Sequence, residues 1–212
     1  MLQVFNTTPY PATLSVFPSP TGVECAYAAV KISYDLSTGV PQLAASQAMF
    51  LVSDVYWGDP AGSSLRAAAD LTLLKPSTDV LLLGRAVAPA GPVQSMDVAL
   101  RVGTFGRRLR VFGERFWQRA GEGWRPSTPQ PFARLPLRWE LAFGGQSRAQ
   151  PDQPPECELR NPVGRGFVAS WDTDPVGLPL PCIEDPDALL GHPHERPEPV
   201  GGPHRQLEHR VS

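Results

Sequence analysis

The distribution of proline constrains this chain more than any other feature. Of 25 prolines, nine precede residue 101 and sixteen lie between Pro126 and Pro203. Each fixes φ and removes a backbone donor, and inside a helix each costs about 3 kcal/mol, so uninterrupted helical windows are scarce. Sheet is therefore expected in the first half. The second half is expected to run extended and loop-like, wrapping that sheet. The 42% hydrophobic fraction, with a formal net charge of −2, argues against a disordered chain.

Strand candidates occupy residues 2–6, 13–17, 23–34, 47–52, 80–87, 95–102 and 107–112, separated by turn signals at 37–39, 90–92 and 103–106. The alternation is clearest late in this series. Arg108 and Arg110 share one face while Leu109 and Val111 take the other, and Met96, Val98, Leu100 and Val102 oppose Asp97, Ala99 and Arg101. Short strands at this spacing predict a mainly β fold, an antiparallel β-sandwich or open barrel, with a proline-rich extended C-terminal segment and little helix. Residues 64–74 fit a helix capped by Ser64, and their apolar positions equally fit a period of two. A single β-rich domain over 1–190 is expected, followed by a mobile or truncated tail over 191–212.

Candidate chemistry is sparse. Gly164-Arg165-Gly166-Phe167-Val168-Ala169 formally fits a dinucleotide-binding fingerprint, but Asn161-Pro162 stands where the strand should end and Pro175 soon follows, so a structural turn is the better reading. His192, His194 and Glu195 carry metal-binding donors, yet they sit in a polar, proline-rich terminal segment with no scaffold of their own. No metal and no cofactor is expected. Cys25, Cys157 and Cys182 are too far apart for a thiolate clip and read as reduced thiols. All four histidines lie at or beyond residue 192, which leaves no obvious base for a nucleophile, and no catalytic residue is assigned. Near-neutral charge gives no general reason to expect nucleic acid. The sequence also shows neither a membrane-spanning run nor a signal peptide, so a cytoplasmic location is expected. Seven arginines (Arg101, Arg107, Arg108, Arg110, Arg115, Arg119 and Arg125) form either a basic stripe for an acidic partner or a solvated strand face paired locally.

Four segments occur in a fixed order. The first is Gly62-Ser63-Ser64-Leu65-Arg66 with Lys75-Pro76-Ser77-Thr78-Asp79-Val80. The second is Ser95-Met96-Asp97-Val98 with Arg110-Val111-Phe112-Gly113. Then come Pro136-Leu137-Arg138-Trp139-Glu140-Leu141-Ala142-Phe143-Gly144-Gly145 and Asn161-Pro162-Val163-Gly164-Arg165-Gly166-Phe167, the last leading to Leu178-Pro179-Leu180-Pro181-Cys182-Ile183-Glu184-Asp185-Pro186. Together they resemble a bacterial family of type VI secretion system accessory proteins, over nearly the whole chain to about Pro199. The resemblance implies a non-enzymatic adaptor or chaperone that binds a toxin effector and helps load it onto the PAAR or spike tip. It brings no catalytic residues. Two departures stand out: Ala67-Ala68-Ala69 follows the Ser-Leu-Arg segment, and the chain stops at Ser212 where relatives usually continue.

The candidate protein-binding or fold-signature residues are Arg66, Lys75, Asp79, Arg108, Arg110, Arg138, Glu140 and Arg165. Arg138 and Glu140, two apart, are expected on one face of a strand, and Arg165 in a glycine-flanked loop. Each fits either client contact or an internal salt-bridge network. Two other functions remain open: a hydrolase acting on a cell-envelope polymer, marked by carboxylates converging with Arg138 or Arg165 in a concave site, and a structural component of the secretion machinery.

Overall fold

Alternating side chains need a partner strand, and residues 95–112 supply both strands of one hairpin. In the computed structural model, which describes residues 4–71, 78–148, 152 and 154–200, the protein is mainly β with antiparallel pairing dominant, and its one described helical element is a short 3-10 turn. The described residues fall into two compact units, Met1–Trp57 with Leu65–Leu81, and Gly58–Ser64 with Leu82–Ser212.

Among its described residues the first unit holds three two-stranded ladders. Strand β1 (Ala12–Pro18) pairs with β2 (Glu24–Val30), β3 (Tyr34–Asp35) with β4 (Gln42–Leu43), and β5 (Val55–Tyr56) with β6 (Leu65–Ala67). Among its described residues none is buried, and Phe17, Val30, Tyr34, Leu43, Met49 and Val52 are all exposed.

The second unit contains β7 (Arg85–Val87), β8 (Ser95–Val102), β9 (Phe105–Phe112), β10 (Trp117–Ala120), β11 (Gly123–Pro126) and β12 (Arg134–Pro136). After a 3-10 turn at Trp139–Leu141 come β13 (Phe143–Gly144), β14 (Gln146–Ser147), β15 (Glu156–Cys157), β16 (Arg165–Gly166) and β17 (Ile183–Glu184). The three-stranded sheet runs β17-β9-β8, with Asp97 opposite Arg110 and Met96 opposite Val111. Two apolar clusters form the core. One gathers Ala86, Val111, Leu135, Cys182, Ile183 and Val200, and the other Trp117, Phe143, Leu180 and Leu190. Burying an aliphatic or aromatic side chain of this size contributes about 1.5–3 kcal/mol, so these clusters dominate the stability of the unit.

Several local expectations change. Residues 47–52 form no strand: the Gln47 side chain bonds both backbone groups of Ser33, at 2.8 and 3.3 Å, so this stretch is anchored by an amide side chain in place of a ladder. The expected strand at 80–87 narrows to β7, and residues 4–6 of the expected first strand are irregular, residues 2–3 lying outside the described residues. Within 64–74 the period of two prevails at β6, and 72–74 lie outside the described residues. Trp139–Leu141 is a 3-10 turn where a strand was expected, because Ala142 donates back to the Trp139 carbonyl at 3.0 Å. Residues 191–200 of the expected tail are described. Pro193 and Val200 are buried, so residues 191–200 pack onto the core, while 201–212 lie outside the described residues.

Candidate functional site

The described candidate residues are divided between the two units: Arg66 and Asp79 lie in the first, and Arg108, Arg110, Arg138, Glu140 and Arg165 in the second. Arg66, on β6, lies with its guanidinium 5.2 Å from the Trp57 ring centroid. Asp79 is exposed in an irregular segment, and Lys75 lies outside the described residues.

Arg108 and Arg110 share the solvent face of β9, as alternation requires, and the residues between and beside them, Leu109 and Val111, turn toward the core. Arg110 forks onto the Asp97 carboxylate directly across the ladder, its Nη2 2.9 Å from Oδ2. The Arg110 hydrogen bond holds the Asp97 carboxyl below the usual carboxylate range. Arg108 reaches Asp187 at 3.2 Å with both side chains well exposed, so the pair is screened by solvent. Arg119 pairs with Asp174 at 2.9 Å. Arg115 leaves the stripe altogether: it is 5% exposed, pairs with Glu184, donates to the Pro181 carbonyl at 3.2 Å, and lies over the Phe112 ring. Glu184 also accepts from the Leu190 amide at 2.8 Å. Burial pushes the Glu184 carboxyl up against the pull of Arg115, and pushes the Arg115 guanidinium down. The seven arginines therefore do not form one continuous basic stripe.

Glu140 and Arg165 do meet. The Glu140 carboxylate accepts from the Ser64 amide and hydroxyl, each at 2.8 Å, and Arg165 Nε donates to the Glu140 carbonyl at 3.1 Å. Burial alone would raise the Glu140 carboxyl, but the Ser64 donors, its own amide and the nearby Arg138 charge outweigh it and hold its pKa below the ordinary value. Arg165 grips both oxygens of Glu114 through one nitrogen, at 2.9 and 2.8 Å, and approaches the Cys182 sulfur at 3.8 Å. Burial, with the Glu114 charge, pushes the Cys182 thiol up to about 11, which leaves it protonated and unreactive at neutral pH. Cys25 and Cys157 are also free thiols.

The glycine fingerprint serves packing. Gly164 and Gly166 bring β16 against β13 in a parallel pair, and a Cβ on Gly144 (φ 145°) would stand 2.1 Å from the Asn161 carbonyl oxygen. Asn161 is buried and donates from Nδ2 to the carbonyls of Trp139 and Phe143, both at 2.9 Å, tying the 3-10 turn to β13. An open cavity of about 320 Å³ beside this junction is lined by Gln146, Ser147, Arg148, Arg165, Phe167 and Thr173, among others, with no carboxylate among the described residues of its lining.

Sequence reasoning missed two constellations. The buried Arg115–Glu184 pair spans 69 positions, a separation at which no local spacing signal exists. The second gathers His192 and His194 with Trp124 and Trp171, whose rings lie 4.0–6.2 Å from the histidine rings. Among the described residues no group of three or more His, Cys, Asp or Glu is placed to hold a metal ion.

Residues 21–206 match a family described as uncharacterized proteins conserved in bacteria (DUF2169). The chain belongs to this family. Its description names no activity, substrate or secretion machinery. The match takes in the Glu140–Arg165 junction, the β8–β9 hairpin and the His192–His194 segment alike. Comparison with curated proteins found no match, and comparison with solved structures found none either. No helix among the described residues is long and apolar enough to cross a membrane.

Proposed function

We propose that the chain is a non-enzymatic adaptor or chaperone of a bacterial type VI secretion system, which binds a toxin effector in the cytoplasm and helps load it onto the PAAR or spike tip. The observation that carries this reading is the unit Met1–Trp57 with Leu65–Leu81: its three ladders have two strands each, and among its described residues none is buried while many large apolar side chains are exposed. Two-stranded ladders are marginal in water, and large apolar side chains left exposed on them gain from cover by a partner. Binding a client supplies the burial that these strands lack, and the open ladder edges offer backbone groups to an extended client segment. The resemblance in the four ordered segments supplies the class of client. Glu140 and Arg165 hold the second unit together in this reading, since Ser64, Glu114 and the Glu140 carbonyl occupy them.

The test is co-expression with the effector and PAAR protein encoded beside this chain. The effector is expected to co-purify with the native chain. It should be lost from a Phe17→Ser, Val30→Ser, Met49→Ser variant whose thermal unfolding is unchanged. Failure of the native chain to retain the effector overturns the proposal.

A further inference from the structure

Residues 191–200 form a strap held at one end by the preceding Leu190 and at the other by its own Val200, which enter different core clusters. Leu190 packs with Trp117, Phe143 and Leu180, and Val200 with Ala86, Val111 and Ile183. Midway, His194 lies 4.0 Å from the Trp171 ring and 6.2 Å edge-on from Trp124, with His192 5.7 Å from each tryptophan. Both ring nitrogens of His194 are buried without a hydrogen-bond partner. A neutral imidazole tolerates this enclosure as a flat, largely apolar ring. An imidazolium adds a charge and a second unpaired N–H, which an enclosed site penalises.

The charged surroundings deepen that penalty. Arg196 donates to the Val168 carbonyl at 2.6 Å and lies over Phe167, and His192 is the neighbouring ring, while Arg119, over Trp124, is paired with Asp174. The nearby carboxylates are engaged elsewhere. Asp174 takes Arg119 at 2.9 Å and the Trp124 indole N–H at 3.3 Å, Glu195 takes the Gly191 and His192 amides at 2.8 and 3.1 Å, and Glu198 pairs with Arg160 at 3.5 Å.

We propose that the 191–200 strap is a proton-operated latch: it lies closed over Trp124 and Phe167 while His194 is neutral, and protonation of His194 releases it. Burial, then the charges of His192 and Arg196, hold the His194 pKa below the ordinary histidine value. The closed strap thus binds fewer protons than the released one. Closure is complete above the released-state value of about 6.5 and weakens as pH falls from there through the lower closed-state value. Across that interval the ratio of released to closed strap rises up to about tenfold per pH unit.

Hydrogen–deuterium exchange over residues 188–200 of the full chain, at pH 8 and pH 5.5 and corrected for intrinsic rates, reads the latch directly. Protection is expected to fall at pH 5.5 in the native chain and in His192→Phe, and to hold at both values in His194→Phe. Equal protection at both pH values in the native chain overturns the latch. So does an unchanged pH response in His194→Phe, or loss of the response in His192→Phe alone. Should His194→Phe fail to fold, titration of the native histidine rings by nuclear magnetic resonance decides. A His194 midpoint below the ordinary value, shared by the Trp171 resonances, supports the latch, and a midpoint at or above the ordinary value overturns it.

Discussion

The two compact units are built from strands of similar length but handle their side chains in opposite ways. In Gly58–Ser64 with Leu82–Ser212, the longest ladder gains a third strand, and the apolar face of β9 is covered by segments from far along the chain. In Met1–Trp57 with Leu65–Leu81, β1 and β2 pair along seven residues each yet bury none of them. Strand pairing by itself therefore does not make a core. A ladder becomes stable when a third layer of side chains is laid on one face, and the proline-rich second half provides that layer for the second unit.

The contrast can be broken at measurable points. The largest effects belong to the second unit. Arg115→Met leaves Glu184 buried and unpaired, and is expected to lower stability by about 3–5 kcal/mol, and Phe143→Ala by a similar amount; both are read by urea denaturation. Gly144→Ala forces a Cβ toward the Asn161 carbonyl at positive φ, and should cost about 1–3 kcal/mol in backbone strain alone.

Glu140→Gln removes a charged acceptor from Ser64, worth on the order of 1–3 kcal/mol. Because the folded-state pKa of Glu140 is lowered, its contribution is present above the unfolded carboxyl value and is lost as pH falls through the folded one. The stability gap between the native chain and Glu140→Gln should therefore be open at pH 7 and close below about pH 4. Equal gaps at both ends of the titration would count against a charged Glu140. At the small end, Phe17→Ala and Val30→Ala in the first unit should shift stability by no more than about 0.5 kcal/mol. Arg108→Ala should leave the denaturation midpoint unchanged because its partner Asp187 is exposed. A destabilisation by Phe17→Ala as large as that by Phe143→Ala would erase the distinction between the units.

What was legible in the residues follows the range of the forces involved. The β8–β9 hairpin was readable because alternation in both strands and the turn at 103–106 are local and agree. Arg138 and Glu140 were placed on a strand by the same period-two logic, but carbonyl-to-amide closure within three residues at Trp139–Leu141 won. The apolar run at 80–84 looked like strand and is not, since β propensity needs a neighbouring strand to act on. His192 and His194 read as exposed because prolines and charges surround them, yet they are half-buried against Trp124 and Trp171, distant in sequence. The partners of Glu140, Arg115 and Arg165 likewise lie 76, 69 and 51 positions away, beyond any spacing rule.

The pairing of β17 with β9 sets the order in which the chain can mature. During synthesis, β8 and β9 emerge early and can form their hairpin by local contacts. Val111 then stays uncovered until Ile183 is translated some seventy residues later, at a rate of about 5–20 residues per second. For those seconds the nascent protein carries an open β edge and an unsealed core. A stretch translated later closes the fold begun by the β8–β9 hairpin.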